Sequence, residues 1–354
     1  MDEEIRARRA ACTDSFLGNG LVRPPELLAS IPPDVEADIY GDGGAVADLE
    51  QYVADLLGKP AAVYLPSGTM AQAATLRVHA DRRGSRTVLW HPFCHLAQHE
   101  GESYARLHHL IGRSVGDLEA VLTLDDLEAV AEPVAAVLWE LPQRDLGGQL
   151  PAWDDLTAQV EWARSGAAAV HLDGARLWEA TAGYDRSPAE IAALFDTVYV
   201  SFYKGVGALP GCCVAGPADD VAQVREWRGR LGGTLFAMWP GAASARHLLP
   251  AALAEMPARL AHASALAIAL DKVPGIRLVP DPPQTPMMHL LFSTTAEQFK
   301  QDAKRITTET GRWLWPNAAT TGDPGVVRVE LTVGRATLRH DPAQIASVLA
   351  GFIA

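Results

Sequence analysis

Two apolar runs, each followed by one charged residue, constrain this chain more than any other feature. The first covers residues 167–172 and ends at Asp173, and the second covers 198–202 and leads to Lys204 in a glycine-rich turn. Uninterrupted apolar runs of this length are typical of strands buried on both faces of a parallel sheet. Because open α/β sheets bind ligands at the carboxyl ends of their strands, Asp173 and Lys204 are expected at one ligand-binding edge.

Strand-like and helix-like segments alternate through most of the chain, which predicts an α/β fold with a mostly parallel central sheet flanked by helices. The predicted helices cover 47–57, 154–164 and 219–228, and the predicted strands cover 61–65, 87–90, 134–139, 167–172, 198–202 and 212–215. Beyond long apolar helices near 240–270 the pattern predicts a small α+β unit, with strands at 275–279, 287–292 and 326–331 and helices near 295–308 and 341–353.

The length of 354 residues predicts two packed domains, because single cores rarely grow past about 250–300 residues. Residues 1–40 carry two Pro-Pro pairs and no sustained periodicity, so they are predicted to form an N-terminal arm. Residues 41–255 are predicted to form a large domain and residues 256–354 a small C-terminal domain.

Charge and cysteine usage narrow the classes of partner. A net charge of −13 and a pI near 5.3 argue against nucleic acid or an anionic membrane as the main partner. No apolar run approaches the roughly 18–20 residues of a membrane span. The cysteines have neither metal-ligand nor disulfide-framework spacing, which predicts a cytoplasmic protein without a metal site; they are Cys12, Cys94, Cys212 and Cys213.

A lysine and an aspartate at one sheet edge are the pair that pyridoxal 5′-phosphate (PLP) requires. The lysine forms a Schiff base, and the carboxylate keeps the ring nitrogen protonated. Taken singly, Lys204 could be a solvated turn lysine and Asp173 a helix N-cap, but together they favour the cofactor. A phosphate site is predicted where a strand turns into a helix N-terminus, because free N–H groups and the helix dipole attract anions there; its residues are Ser67, Gly68 and Thr69.

The chain resembles the threonine aldolase family, PLP enzymes with the aspartate-aminotransferase-like fold of type I. Two motifs carry most of the likeness: residues 171–176, His-Leu-Asp-Gly-Ala-Arg, and residues 204–208, Lys-Gly-Val-Gly-Ala. Segments 40–50, 57–71 and 140–151 support it, so the likeness covers nearly the whole chain. The resemblance implies a large PLP-binding domain with a mostly parallel sheet, followed by a small C-terminal α+β domain.

The resemblance also implies roles for individual residues. Lys204 would carry the cofactor, Asp173 would pair with its ring nitrogen, and Ser67, Gly68 and Thr69 would hold its phosphate. His95 falls where the family has a histidine stacked on the ring, although with His91 and His99 so close it could be an ordinary surface or core histidine. The implied substrate contacts are Arg176, Arg328, Gln143 and Ser15. The local match at Ser15 is poor, and Arg328 could instead be an exposed strand arginine.

Two departures from the family pattern concern the substrate and the subunit contact. Gln143 stands where the family has a histidine near the substrate β-hydroxyl, and glutamine cannot accept a proton near neutral pH. The base would then be His95, a water or an unrecognised group. Phe236 stands in place of an arginine that reaches an adjoining subunit, and Arg228 or Arg230 could replace the family's lysine. Because the family's active sites are shared between subunits, a homodimer or homotetramer is expected.

These features predict a PLP-dependent lyase that cleaves the Cα–Cβ bond of a β-hydroxy-α-amino acid, such as threonine or allo-threonine, into glycine and an aldehyde. The alternatives are another PLP reaction on an amino acid, namely β-elimination or transamination, and a PLP-binding protein without turnover. The departures leave the predicted cofactor contacts intact. PLP is therefore predicted more firmly than the substrate.

Overall fold

The computed structural model describes residues 3–353, which form two compact units. The large unit comprises Pro25–Asp145 and Leu150–Ala254. The small unit comprises the N-terminal segment up to Pro24, the short insertion Leu146–Gln149 and the chain from Glu255 onward. The segment predicted as an arm is therefore divided at Pro24 between the two units.

The large unit is built on a seven-stranded sheet. Its strands are β1 (Ala61–Leu65), β2 (Thr87–Trp90), β3 (Ile111–Ser114), β4 (Ala136–Glu140), β5 (Ala169–Gly174), β6 (Thr197–Ser201) and β7 (Cys212–Gly216). Their order is β1-β7-β6-β5-β4-β2-β3, and β7 runs antiparallel to the other six strands. This confirms the predicted mostly parallel sheet. Strand β3 was not predicted, because it is a four-residue edge strand of sequence Ile-Gly-Arg-Ser without apolar continuity.

Fourteen helices are present in residues 3–353. They are α1 (Glu3–Ala11), α2 (Pro24–Leu28), α3 (Gly44–Leu57), α4 (Gly68–Arg83), α5 (His95–His99), α6 (Ser103–Arg106), α7 (Leu124–Glu128), α8 (Trp153–Ser165), α9 (Leu177–Tyr184), α10 (Pro188–Ala192), α11 (Ala218–Arg230), α12 (Trp239–Leu270), α13 (Ala296–Thr310) and α14 (Pro342–Ala350). Two 3₁₀ turns cover Arg144–Leu146 and Thr337–Arg339. Within this part of the chain, no helix has both the length and the apolar character needed to cross a bilayer.

The two central strands explain why charged groups can collect at one edge. Every residue of β5 and of β6 is buried, which fits strands covered by helices on both faces. The register pairs Glu140 at the end of β4 with Asp173, and Asp173 with Tyr199 on β6. Lys204 follows the end of β6 by three residues. The carboxyl ends of β4, β5 and β6 therefore meet at one edge of the sheet.

The small unit contains a four-stranded antiparallel sheet. Its strands are β8 (Ile276–Val279), β9 (Met287–Phe292), β10 (Ala319–Thr320) and β11 (Val327–Thr332), in the order β10-β11-β9-β8. Its core includes three mutually contacting aromatic rings whose centroids lie 4.5–5.5 Å apart, those of Phe292, Phe299 and Phe352. This is the predicted small C-terminal α+β unit.

Candidate active site

A cavity of about 230 Å³ opens at the carboxyl edge of the large unit's sheet. Six of the residues predicted from the sequence line it together: Ser67, Gly68, Thr69, His95, Asp173 and Lys204. The other lining residues are Pro66, Gln72, Glu100, Tyr199, Tyr203 and Pro210. The structure thus brings a lysine, an aspartate, a histidine and a helix N-terminus to one cavity.

Asp173 and Lys204 influence each other's ionisation across this cavity. Asp173 is buried, and its Oδ1 accepts a hydrogen bond from the Ala175 N–H at 3.0 Å. Burial raises the pKa of the Asp173 carboxyl, while the nearby positive charge of Lys204 opposes that rise. Burial likewise lowers the pKa of the Lys204 amine, and Asp173 opposes it. A partly desolvated amine therefore faces a carboxylate that already has a fixed orientation.

Helix α4 begins at the cavity wall and presents its N-terminal turn to it. Strand β1 leads through Pro66 and Ser67 into the helix, whose first residues are Gly68 and Thr69. The first N–H groups of a helix lack partners within the helix, and the helix dipole adds positive potential there. This turn is suited to a phosphate group.

Gly68 is required at this position by the close approach of Tyr199. A Cβ atom on Gly68 would lie 2.3 Å from the Tyr199 hydroxyl oxygen, and Tyr199 is buried on β6. We expect Gly68→Ala to displace the first turn of α4 and to weaken PLP binding at least about tenfold, as misplaced binding groups generally do. Equilibrium dialysis against PLP measures the loss.

Two further variants make this prediction specific. Tyr199→Phe in the Gly68→Ala background removes the clashing oxygen and should restore part of the affinity. Gly229→Ala on α11 places its Cβ at an ordinary 3.6 Å from Thr234 and should leave PLP affinity unchanged. Unchanged affinity in Gly68→Ala itself would contradict the assignment of this turn as the phosphate site.

His95 is the first residue of α5 and is held by the end of β4. Its backbone N–H donates to Glu140 Oε2 at 3.2 Å, and its ring centroid lies 4.8 Å from that of His99. Burial lowers the pKa of His95 to about 4, with Lys204 and other nearby positive groups acting in the same direction. The imidazole is therefore neutral at pH 7 and can accept a proton or cover an aromatic ring.

Arg176 and Gln143 have different surroundings. Arg176 lies at the N-terminus of α9, three residues after Asp173, and its charge contributes to the pKa shifts of Asp173, Lys204 and His95. Gln143 is only 4% exposed, and its amide donates to the Phe93 carbonyl at 3.1 Å. The Gln143 amide nitrogen is thus engaged in holding the segment that precedes His95.

Ser15 and Arg328 belong to the small unit. The Ser15 hydroxyl donates to the Trp313 carbonyl at 2.9 Å and accepts from the Leu17 N–H at 3.1 Å, so its one O–H donor is used within that unit. Arg328 lies on β11 with its backbone paired to β9 and β10, and its side chain is half-buried. Within residues 3–353 no carboxylate forms an ion pair with it.

Glu100 lines the cavity and is not predicted from the sequence. It follows α5 directly, and the Thr69 side chain hydrogen-bonds to it. Its Oε2 is buried and has no hydrogen-bond partner among the described residues. Burial and the nearby Asp173 raise the pKa of Glu100 to about 7. Its only sequence signal was its position five residues after His95, which by itself does not separate a cavity residue from a surface glutamate.

Comparison with known proteins identifies the family. The model of the beta-eliminating lyase family matches residues 32–293. This chain belongs to the beta-eliminating lyase family. Among curated proteins, an aldolase of Penicillium aethiopicum, vrtJ, is 32% identical over 72% of this chain and 67% of its own length. The low specificity L-threonine aldolase of Escherichia coli K12 is 29% identical over 58% of this chain and 63% of its own length.

Solved structures agree with this family assignment. A candidate L-allo-threonine aldolase from Listeria monocytogenes superposes with a TM-score of 0.92 and 36% identity, covering 99% of this chain and 98% of its own. A candidate aromatic amino acid beta-eliminating lyase/threonine aldolase from Exiguobacterium sp. 255-15 superposes with a TM-score of 0.92 and 33% identity, covering 99% of each chain. These findings confirm the predicted threonine aldolase-type family, its fold type I architecture, its PLP cofactor and its lyase class.

Proposed function

We propose that this beta-eliminating lyase family member cleaves the Cα–Cβ bond of a β-hydroxy-α-amino acid to give glycine and an aldehyde. One observation carries the proposal: Lys204, Asp173 and the N-terminal turn of α4 line a single cavity of about 230 Å³. These are the amine, the carboxylate and the anion site that PLP chemistry on an amino acid needs. The match to threonine aldolases supports threonine or allo-threonine as the substrate type.

The donor set of the cavity fits PLP. Lys204 supplies an amine to hold the aldehyde carbon, Asp173 an anion for the ring nitrogen, and Gly68 and Thr69 backbone N–H groups for the phosphate. The Asp173 carboxylate keeps Oδ1 on the Ala175 N–H. When bound, PLP supplies an electron sink for the pair of electrons released at Cα as Cα–Cβ breaks.

The chain's own residues then perform binding and proton transfer. The lowered pKa of Lys204 favours its neutral amine, which can take up or return a proton at Cα once it is free. Asp173 stabilises positive charge at the ring nitrogen. Arg176 and Arg328 are proposed to bind the substrate carboxylate, which a planar guanidinium can do with two parallel hydrogen bonds.

His95 is proposed to cover the ring and to receive the β-hydroxyl proton, directly or through water. Its imidazole lines the cavity and is neutral at pH 7 because burial lowers its pKa. Gln143 cannot accept this proton, and its amide nitrogen donates to the Phe93 carbonyl. We therefore propose that Gln143 positions the His95 segment and has no role in proton transfer.

The test is product analysis with PLP-loaded protein and three substrates: L-threonine, L-allo-threonine and L-phenylserine. The proposal expects glycine and the matching aldehyde in equal amounts from at least one of them. Ammonia with a keto acid would instead indicate β-elimination, and a new amino acid made from an added keto acid would indicate transamination. Bound PLP with no product from any of the three would favour a binding protein without turnover.

Glu100 makes PLP binding depend on pH. Because its pKa is raised to about 7, this carboxyl loses its proton as the pH rises through that region and becomes an anion next to Thr69 and the proposed phosphate site. We therefore expect PLP affinity to fall as the pH rises from 6 to 8, and Glu100→Gln to remove most of that fall relative to the wild type. Dissociation constants measured across this range for both proteins provide the check, and parallel pH profiles would contradict it.

We further propose that the protein acts as a homo-oligomer. An apolar patch on the large unit supports this proposal: Ile39, Tyr40, Leu235 and Phe236 are each between 46% and 66% exposed. The loop that carries Leu235 and Phe236 packs against the first turn of α4, since a Cβ on Gly233 would lie 2.4 Å from Met70 Sδ. Arg228 is buried and donates to the Tyr64 carbonyl, so it is engaged within its own chain. Sedimentation equilibrium would contradict the proposal by finding a monomer.

A further inference from the structure

A chain of hydrogen-bonded, buried polar side chains that the proposed reaction does not use starts beside Asp173 in the cavity lining and leads into the interior of the large unit. It runs from Gln72 on α4 through His171 on β5 and Thr197 on β6 to His79 on α4. All four residues are at most 2% exposed. Buried polar groups of this kind are costly unless they find partners, and here they bond to one another, with only His79 Nδ1 left without a partner among the four described side chains.

The hydrogen bonds of this chain are continuous, and three of them are 2.7–2.8 Å long. The Gln72 side chain hydrogen-bonds to Asp173. Gln72 Oε1 lies 2.7 Å from His171 Nε2, and His171 Nδ1 lies 2.8 Å from Thr197 Oγ1. His79 Nε2 lies 2.8 Å from the same Thr197 oxygen. The chain thus links Asp173 to His79 through three side chains, those of Gln72, His171 and Thr197.

Only one arrangement of protons fits an ionised Asp173. A carboxylate accepts hydrogen bonds, so the Gln72 amide group must point its NH₂ at Asp173 and its oxygen at His171. His171 then carries its proton on Nε2 and accepts at Nδ1 from the Thr197 hydroxyl. Thr197 in turn accepts from a proton on His79 Nε2.

Both histidines are neutral, as this arrangement requires. Burial lowers the pKa of His171 to about 3, and burial together with His171 lowers the pKa of His79 well below its ordinary value. A neutral His171 with its proton on Nε2 cannot also accept at that atom. Rotation of the Gln72 amide would therefore place two donors against each other at His171 and two oxygens against each other at Asp173.

We propose that Gln72, His171 and Thr197 are positioning residues that keep Asp173 ionised and directed at the ring nitrogen of PLP. The inference rests on the proposed pairing of Asp173 with that nitrogen. Gln72 holds one face of the carboxylate and the Ala175 N–H holds Oδ1, so the remaining acceptor capacity of Asp173 is directed at the cavity. Loss of the Gln72 donor would shift the buried Asp173 towards its neutral, protonated form.

The test is the protonation state of the PLP ring nitrogen in Gln72→Met, measured by ¹⁵N NMR with PLP labelled at that atom. We expect the wild-type resonance to be that of a protonated ring nitrogen and the variant's to move towards that of neutral pyridine. The Kd for PLP should rise about tenfold or more, as expected for a lost hydrogen bond to a charged group. Wild-type resonance and affinity in Gln72→Met would overturn the proposal.

Control variants separate a positioning role of Gln72 from a general loss of packing in the core. Gln159 is also a fully buried glutamine of the large unit, bonded to Trp139 Nε1 at 2.8 Å and to the Leu122 carbonyl at 2.7 Å. Gln159→Met should lower the unfolding temperature but leave the ¹⁵N resonance unchanged. If Gln72→Met does not fold, two Thr197 variants test the positioning role instead. Thr197→Val should shift the ¹⁵N resonance towards that of neutral pyridine, and Thr197→Ser, which keeps the hydroxyl, should give the wild-type resonance. Equal resonances in the two Thr197 variants would overturn the proposal.

The outcome also distinguishes this inference from the function on which it rests. If Asp173→Asn leaves the ring-nitrogen resonance unchanged, the proposed pairing of Asp173 with PLP is wrong. If Asp173→Asn shifts the resonance and Gln72→Met does not, the pairing stands and the positioning chain alone is wrong.

Discussion

Lys204→Ala is expected to abolish the visible absorbance that PLP gains when it is covalently bound to an enzyme lysine. Activity should fall by about 10⁴-fold or more, the scale on which enzymes lose rate when a covalent group is removed. The physical reason is that Lys204 is the lysine that lines the cavity, where burial lowers its pKa and favours the reactive neutral amine. Absorbance spectra and product formation measure the two losses.

Lys59 provides the matched control for this variant. It is also partly buried in the large unit, and burial lowers its pKa too. Its Nζ, however, donates to the Phe195 carbonyl at 2.5 Å, a position outside the cavity lining. Lys59→Ala should keep the PLP absorbance and the activity while reducing stability. A Lys204→Ala protein that retains the absorbance would contradict the assignment of Lys204.

Asp173→Asn is expected to lower kcat by about 10²–10³-fold. The amide keeps the shape of the side chain and can still accept from the Ala175 N–H, but it carries no charge to stabilise a protonated ring nitrogen. Steady-state kinetics of the PLP-loaded variant measures this loss.

Asp220 offers a comparison for the same substitution. It is a buried carboxylate on α11 whose pKa is also raised by burial, and it pairs with Arg82 at 2.7 Å. Asp220→Asn should leave kcat unchanged. A reduced kcat in Asp220→Asn equal to that in Asp173→Asn would show that loss of a buried charge, and not its position beside PLP, causes the effect.

The proximity of Asp173 and Lys204 could be predicted from the sequence because both residues lie at the carboxyl ends of neighbouring strands. Strands β5 and β6 are uninterrupted apolar runs, and parallel neighbours place their carboxyl ends together whatever the rest of the chain does. Asp173 and Lys204 are therefore located by the pattern alone. The N-terminal turn of α4 is predictable for the same reason, since it follows the end of β1.

Other features could not be predicted because they depend on side-chain directions and close approaches. Glu100 reaches the cavity from the end of a five-residue helix, and nothing in a helical pattern that short determines which way a side chain points. The direction of the Gln143 amide depends on the Phe93 carbonyl, 50 positions earlier in the chain. The hydrogen-bonded side chains that lead from Asp173 come from two helical positions, Gln72 and His79, and two strand positions, His171 and Thr197. These positions are up to 125 residues apart.

The insertion Leu146–Gln149 shows how a sequence landmark acquires a physical reason only in the structure. A Cβ on Gly147 would lie 2.0 Å from the Val279 carbonyl oxygen, and one on Gly148 would lie 2.9 Å from that of Met287. Both glycines also have positive φ angles, of 75° and 82°. Only glycine can therefore pack against strands β8 and β9 in this way.

The most direct test of Lys204 as the PLP-binding lysine is to trap PLP on the protein with sodium borohydride and to map the modified peptide by mass spectrometry. The chain has five lysines, so the labelled lysine can be identified directly. They are Lys59, Lys204, Lys272, Lys300 and Lys304. We expect one pyridoxyl group per chain, on Lys204. A label on any other lysine, or no label after reduction of the PLP-loaded protein, would contradict it.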